Sequence, residues 1–154
     1  MELERYEFKV TGNRYDFLSV GPKGVIRKAV LYRMVQVGSL PLYNLAFGDW
    51  RAGRGRIDDR VVTDNKDSQK ILATVAATVV DFMDKNPHAT ILAIGTTPSR
   101  TRLYQIGINR FLPVITALFD IEGFLAHKWQ PFERGRSYDA FLLNHKKIYI
   151  YETS

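Results

Sequence analysis

Apolar and polar positions alternate with a period of two in the first half of the chain, which predicts β-strands. The segments YDFLSV (15–20) and VIRKAVLYRMV (25–35) flank a turn signal at Gly21-Pro22-Lys23-Gly24. The segment LYNLAFGDW (42–50) has the aromatic and aliphatic residues typical of a strand. The loop RAGRGR then leads into a short predicted strand, IDDRVVT (57–63). This half is therefore predicted to be a meander of antiparallel strands.

The spacing of apolar residues changes to that of an α-helix in the middle of the chain. Polar residues at 64–68 are candidate N-caps, and Asn86-Pro87 predicts the end of this helix. A strand, ATILAIG (89–95), follows, and a second helix is predicted from Pro98 to Phe111 or Leu112. The apolar stripe of the first helix consists of Ile71, Leu72, Val75, Ala76, Val79, Val80 and Met83.

The pattern of apolar residues in the last part of the chain predicts two more extended segments. They lie at 114–129, with a break near Gly123, and at 138–151. A strand, a helix and a second strand in succession predict a right-handed crossover that makes the two strands parallel. Here those strands are IDDRVVT and ATILAIG. The sequence thus predicts a single α+β domain over residues 1–154, with a mixed, mostly antiparallel sheet and two main helices.

Composition restricts the class of protein. The chain of 154 residues is long enough for a core that needs no disulfide, and it has no cysteine for a thiolate nucleophile or metal site. The N-terminus lacks the apolar region of a signal peptide, and no apolar run reaches membrane-spanning length, so we predict a cytoplasmic protein without membrane contact. A net charge of +6 favours an anionic small molecule or nucleic acid as partner, and a basic surface that serves only solubility is the alternative.

The start of the second helix carries the most informative motif, GTTPSRTRLY (95–104). Thr97 is a natural N-cap, and Pro98 suits the first helical position. Arg100 falls on the apolar face of the helix, whereas Arg102 belongs to the solvated face. Cations at this end oppose the helix dipole, so the arginines need an explanation. The remaining residues of the apolar face are Leu103, Tyr104, Gly107, Ile108 and Phe111, and those of the solvated face are Gln105 and Asn109.

Two explanations for an inward-facing Arg100 stay open. The first is structural: an ion pair with one of the aspartates at 49, 58, 59 and 64, whose loss would cost about 3–5 kcal/mol, or hydrogen bonds to carbonyl groups at a strand end. The second is a bound anion, held by the arginine and by backbone N–H groups of the first turn. From the sequence we predict the outcome that belongs to this second explanation, in which Arg100→Ala leaves the melting temperature of the ligand-free protein unchanged or higher. The ligand-binding residues predicted by the second explanation are Thr97, Ser99, Arg100, Thr101 and Asn65.

Topology suggests where such an anion would lie. If the two predicted strands are parallel, both helices start at the carboxyl ends of strands, where ligands of crossover sheets bind. Residues 63–66 and 95–100 would then line one crevice.

A second basic segment allows a nucleic-acid hypothesis. Trp50, Arg51, Arg54 and Arg56 combine an aromatic ring with cations, as single-stranded nucleic-acid sites do. A solvated hairpin loop explains the same residues. The histidines His88, His127 and His145 lack the spacing of metal ligands, and we predict no metal site.

Four segments resemble a family of small bacterial proteins, chiefly from Bacteroidetes, that is known only as a domain of unknown function. They are LYNLAFGDW, GRIDDRVVTDNKDSQKILATVAATVVDFMDKNP, TTPSRTRLYQIGI and PFERGRSYDAFLL. The resemblance spans nearly the whole chain and implies no particular activity.

The predicted order of elements is also similar to that of the GNAT acetyltransferase superfamily, and Leu103-Tyr104 matches part of its second-helix pattern. This resemblance implies an acyl-CoA-dependent N-acyltransferase with acetyl-CoA as cofactor, in which Tyr104 would be a general acid. The position of the superfamily's glycine-containing pyrophosphate motif is occupied here by DNKDSQ (64–69). Without the acetyltransferase resemblance, no cofactor is predicted.

Overall fold

One mixed sheet of nine strands and three α-helices make up the described part of the computed structural model, residues 4–58 and 64–146. This confirms the predicted α+β class and the mostly antiparallel sheet. The strands are β1 (Lys9–Thr11), β2 (Arg14–Gly21), β3 (Gly24–Gln36), β4 (Leu42–Arg51), β5 (Arg56–Asp58), β6 (Thr90–Ala93), β7 (Phe119–Leu125), β8 (Lys128–Pro131) and β9 (Ala140–His145). The helices are α1 (Ser68–Lys85), α2 (Pro98–Arg110) and α3 (Leu112–Leu118).

The strand order is β1-β2-β3-β4-β6-β9-β7-β8, and β5 pairs with β4 beside this path. Among the described strands, β4 and β6 pair in parallel, and every other pair is antiparallel. The predicted pairing of IDDRVVT with ATILAIG is therefore wrong, because Arg56–Asp58 runs antiparallel to β4. A tight turn through the 3-10 helix Ala52–Arg54 folds β5 back onto β4, which leaves β4 as the parallel partner of β6. Residues 59–63 of the predicted strand lie outside the described residues.

Both predicted helices are confirmed. Of the predicted apolar stripe of α1, four residues are buried (Ile71, Leu72, Val79 and Met83) and three are half-buried (Val75, Ala76 and Val80). Phe82, which the stripe does not include, is buried against the sheet, and its ring stacks on Tyr32 with 4.2 Å between centroids. Helix α2 begins at Pro98, as its cap predicts, and buries Tyr104, Ile108 and the following Phe111. The two helices thus cover the same face of β3 and β4.

The extended segment predicted at 114–129 is wrong in its first part. Residues 114–118 belong to α3, and the remainder forms the β7–β8 hairpin. The β-branched residues Val114, Ile115 and Thr116 favour a strand locally, but packing against α2 and β7 imposes a helix. The hairpin turn at Ala126-His127 has φ angles of 53° and 60°, which suit a two-residue turn. Of the predicted strand 138–151, the structure shows β9, and residues 147–151 lie outside the described residues.

The helix-covered face of the sheet contains a buried ion pair. Lys28 on β3 lies opposite Asp49 on β4, and Lys28 Nζ is 2.6 Å from Asp49 Oδ1. Lys28 is 0% exposed and Asp49 is 3% exposed. Phe47 lies two residues before Asp49 on the same face, so charged and aromatic side chains share the sheet surface below the start of α2.

Candidate functional site

The connection from β6 to α2 is closed by hydrogen bonds of two threonines. Thr97 has an extended backbone, and its Oγ1 accepts the N–H of Arg100 at 3.2 Å. The carbonyl oxygen of Thr97 accepts the N–H groups of Arg100 and Thr101, each at 3.1 Å. Two of the N–H groups predicted to hold an anion are thus engaged by the cap. An anion at this helix end would be bound mainly by side chains.

Gly95 allows the strand end to approach the helix. Its N–H donates to Thr101 Oγ1 at 3.0 Å. A Cβ on Gly95 would lie 2.4 Å from the backbone nitrogen of Thr101 and 2.6 Å from Arg100 Cβ. Thr101 is 8% exposed, so its hydroxyl is part of the internal structure of the turn.

We expect Gly95→Ala to lower the free energy of unfolding by about 1–3 kcal/mol, because the added methyl group meets backbone that cannot move alone. Urea denaturation followed by circular dichroism measures this change. The matched control is Gly53→Ala, since a Cβ there meets nothing within 4 Å, and its effect should stay within about 0.5 kcal/mol. Equal stability of the two variants would contradict the close packing at Gly95.

Arg100 points inward, as the helical spacing predicts. It is 2% exposed, and its guanidinium carbon lies 5.4 Å from the centroid of the Phe47 ring. The side chain therefore extends from α2 towards the face of β4 that also carries Asp49. Of the other aspartates considered as partners, Asp58 pairs with Arg51 at 3.4 Å, Asp64 accepts the N–H of Lys66, and residue 59 lies outside the described residues.

A polar groove of about 700 Å³ lies on the opposite side of α2. One wall is the β6–α2 connection and the exposed face of the helix, and the other wall is the segment 135–139. The polar and charged residues that line it include Thr96, Thr97, Arg102, Gln105, Asn109, Arg136 and Asp139. Arg100 is not among the lining residues, so the structure separates the two arginines of the motif.

Gln105 fastens the second wall of this groove to α2. Its Nε2 donates to the carbonyl oxygen of Arg136 at 2.5 Å, and its Oε1 accepts the N–H of Tyr138 at 2.9 Å. The Arg136 side chain bonds Gln130 at 3.0 Å and pairs with Glu133 at 3.2 Å. These hydrogen bonds and the packing of the buried Tyr138 ring against Phe132 and Phe141 together fix the second wall of the groove. Sequence reasoning missed Arg136, because nothing in the local pattern brings residue 136 next to α2.

Asn109 also lines the groove, and its Oδ1 is buried without a hydrogen-bond partner among the described residues. Buried polar atoms usually have a partner. A ligand that carries a hydroxyl or amino group could supply the missing hydrogen bond.

Asn65 is fully engaged elsewhere. It is 1% exposed, and its amide bonds Ser19 Oγ, the carbonyl oxygen of Gly24 and the N–H of Lys23 at 3.2, 2.9 and 2.8 Å. It therefore holds the β2–β3 turn. Lys66 lines a different groove from Thr97, and Thr63 lies outside the described residues. The crevice predicted between 63–66 and 95–100 is not observed.

The groups whose pKa values are shifted, Asp81, Tyr15 and Tyr32, lie outside the polar groove. Hydrogen bonds from Lys85 and Tyr15 lower the pKa of Asp81, and burial together with the Asp81 bond raises the pKa of Tyr15. Burial also raises the pKa of Tyr32. Tyr104, the residue that the acetyltransferase resemblance makes a general acid, is 8% exposed and belongs to the hydrophobic core.

The histidines are dispersed. His88 is exposed, His127 occupies a hairpin turn, and His145 bonds the carbonyl oxygen of Met83 at 2.8 Å. Residues 4–58 and 64–146 contain no group of three or more His, Asp or Glu side chains that could hold a metal ion.

The residues of the nucleic-acid hypothesis lie on the β4–β5 hairpin. Two guanidinium groups, of Arg14 and Arg27, lie over the Trp50 ring at 4.5 and 5.5 Å from its centroid. A base could stack on this indole only if it displaced an arginine. Arg51 pairs with Asp58, whereas Arg54 and Arg56 are exposed.

Comparison with known proteins identifies the family. The model of DUF6934, a family of unknown function, matches residues 2–146, and the chain belongs to this family. No curated protein and no solved structure matches the chain. The bacterial source and the acetyltransferase-like element order therefore stay predictions. In the part of the chain that the structure describes, every helix is too short or too polar to cross a membrane.

Proposed function

We propose that this member of a family of unknown function binds a phosphate-bearing small molecule in the polar groove beside α2. The observation that carries the proposal is the position of Arg102 and Arg136 on facing walls of a groove that opens at the start of a helix. Both residues are exposed. Guanidinium groups bind phosphate oxygens in pairs of hydrogen bonds.

The N-terminal end of α2 adds an electrostatic field that favours a bound anion. The first turn of α2 contains no acidic residue, so the positive end of its dipole is not neutralised from within the turn. Ser99 and Thr97 bring hydroxyl groups to the same end. Asp139 is the carboxylate among the described lining residues, against two arginines, and Arg136 also pairs with Glu133 outside the lining. Arg102 therefore attracts the anion, and Arg136 joins it by exchanging Glu133 for a phosphate oxygen.

The buried residues of the motif have a supporting part in this proposal. Arg100 and Thr101 hold the start of α2 against β4 and Gly95, and Asn65 holds the neighbouring hairpin. The ligand contacts belong instead to Thr97, Arg102 and Arg136, whereas Ser99 is exposed in the first turn of α2 and does not line the groove. Asn109 Oδ1 is buried in the ligand-free structure, and a rotation of the side chain would let it accept a hydrogen bond from a hydroxyl or amino group of the same ligand.

We expect isothermal titration calorimetry to detect inorganic phosphate and, more tightly, a phosphate ester that carries hydroxyl groups, such as glucose 6-phosphate or AMP. The double variant Arg102→Gln/Arg136→Gln should weaken binding at least about tenfold, since it removes both guanidinium contacts. The control variant Arg54→Gln removes an exposed arginine of the β4–β5 turn and should bind like the wild type. Phosphate binding that survives in the double variant would contradict the proposal.

Two alternatives predict other outcomes of the same titrations. An acyl-CoA-dependent N-acyltransferase should bind acetyl-CoA far more tightly than inorganic phosphate. A nucleic-acid-binding protein should bind a single-stranded oligonucleotide with steep salt dependence, and Arg54→Gln should weaken that binding.

A further inference from the structure

An apolar cavity of about 240 Å³ lies between α1, the α2–α3 pair and the sheet, separate from the polar groove. Its walls are aliphatic and aromatic, and among the described lining residues Arg5 is the one with a charge. Representative wall residues are Ala73, Ala76 and Val80 of α1, Ile108 of α2, and Val114 and Ile115 of α3. The cavity is open to solvent on one side, where the wall residue Val114 is 51% exposed. Apolar cavities of about 150 Å³ already bind benzene.

Small residues on facing helices create this space. Ala73, Ala76 and Ala77 of α1 lie across from Gly107 of α2, and all four line the cavity. A Cβ on Gly107 would lie 3.1 Å from the end of the Leu72 side chain, so a larger residue at 107 would have to displace Leu72.

Helix α3 forms an exposed apolar wall of the cavity. Its sequence, LPVITAL, has no charged residue, and none of its residues is buried. Val114 is 51% exposed and also lines the cavity. An apolar surface of this kind is expected where a ligand covers it. An occupant of the cavity would bury Val114 and Ile115.

Among the described residues, Arg5 is the cation that lines the cavity, and further cations lie in an adjacent groove where Lys70 pairs with Glu4 at 3.2 Å. Arg5 is exposed and stacks on Phe8 with 4.8 Å between its guanidinium carbon and the ring centroid. A neighbouring polar groove shares Ala73 and Phe111 with the cavity and is lined by Lys70 and Arg110 as well as Glu4 and Asp67. A chain inside the cavity would therefore have its head group close to positive charge.

We infer that the cavity binds the aliphatic chain of a single-chain fatty-acid anion, with its carboxylate at the rim beside Arg5. The apolar walls select the chain, and Arg5 selects an anionic head. A volume of about 240 Å³ suits one chain of medium length rather than the two chains of a phospholipid. This inference goes beyond the phosphate-binding proposal, because it uses the opposite side of α2.

We expect decanoate to bind the wild-type protein in calorimetric titrations and to displace the fluorescent probe N-phenyl-1-naphthylamine. Ala76→Leu should weaken decanoate binding at least about tenfold, because the larger side chain fills the cavity. The same variant should melt at or above the temperature of the wild type, which shows that it folds. The control Ala117→Leu places the same side chain on α3 outside the cavity and should bind decanoate normally.

Arg5→Gln tests the head-group assignment without altering the walls. It should weaken the binding of decanoate but leave the binding of decan-1-ol unchanged. Equal effects on both would overturn the assignment of the carboxylate to Arg5. Absence of decanoate binding to the wild type, preference for phospholipid vesicles over free decanoate, or normal binding by Ala76→Leu would overturn the inference. The Arg102→Gln/Arg136→Gln variant should bind decanoate normally, so failure of the two proposals can be distinguished.

Discussion

Arg100→Ala is expected to lower the free energy of unfolding by about 3–5 kcal/mol in the ligand-free protein. Arg100 is 2% exposed, and its guanidinium group lies over Phe47 on the sheet face that carries the Lys28–Asp49 pair. Truncation removes a large buried side chain and disturbs the charges around it. Of the two explanations open from the sequence, the burial favours the structural one. Chemical denaturation followed by tryptophan fluorescence measures the change.

Arg102→Ala is the matched control for this prediction. It removes the same side chain two residues later on the exposed face of α2, and its effect should be within about 0.5 kcal/mol. Arg100→Met separates volume from charge, since it retains most of the apolar contact with Phe47. If Arg100→Ala melts at or above the wild type, the arginine does not belong to the fold, and direct anion binding by Arg100 becomes the better explanation.

The start of α2 shows how much local sequence can predict. Thr97, Pro98 and the inward direction of Arg100 follow from cap chemistry and helical spacing, which depend on neighbours within one turn. The same reasoning predicts α1 and the β2–β3 hairpin. What the arginine contacts depends on β4, a strand about fifty residues away in sequence, and no local pattern encodes that approach.

The less predictable features all depend on contacts between distant segments. Helix α3 has strand-favouring residues and becomes helical through its contacts with α2 and β7. The second wall of the polar groove is joined to α2 by Gln105, which bonds the backbone at 136 and 138. Ala76 belongs to the predicted apolar stripe of α1, yet it lines a cavity together with Ala73, Ala77 and Gly107 instead of filling the interior. Spacing alone predicts which residues face inward but does not predict whether they fill the interior.

The buried ion pair allows the second large effect to be measured. Lys28→Met should lower the free energy of unfolding by about 3–5 kcal/mol, because Asp49 then keeps a buried carboxylate without its lysine at 2.6 Å. Asp49→Leu should lower the free energy of unfolding by a similar amount, because it removes the carboxylate that pairs with the buried Lys28 ammonium group. Lys85→Met is the control: Lys85 pairs with Asp81 at 2.8 Å, but the side chains are 57% and 35% exposed, so its loss should cost less than about 1 kcal/mol.

The double variant Lys28→Met/Asp49→Leu completes this experiment as a thermodynamic cycle. Two apolar side chains of similar size can replace a buried pair with little loss, so the double variant should be more stable than either single variant. Lys28 and Asp49 both lie beside the surface that Arg100 covers. The cycle subtracts the contribution that each residue makes to stability independently of the other, so that the interaction energy between Lys28 and Asp49 remains. If the destabilisation of the double variant equals the sum of the two single effects, Lys28 and Asp49 are not coupled. The buried charges below α2 would then be held by their other contacts rather than by each other.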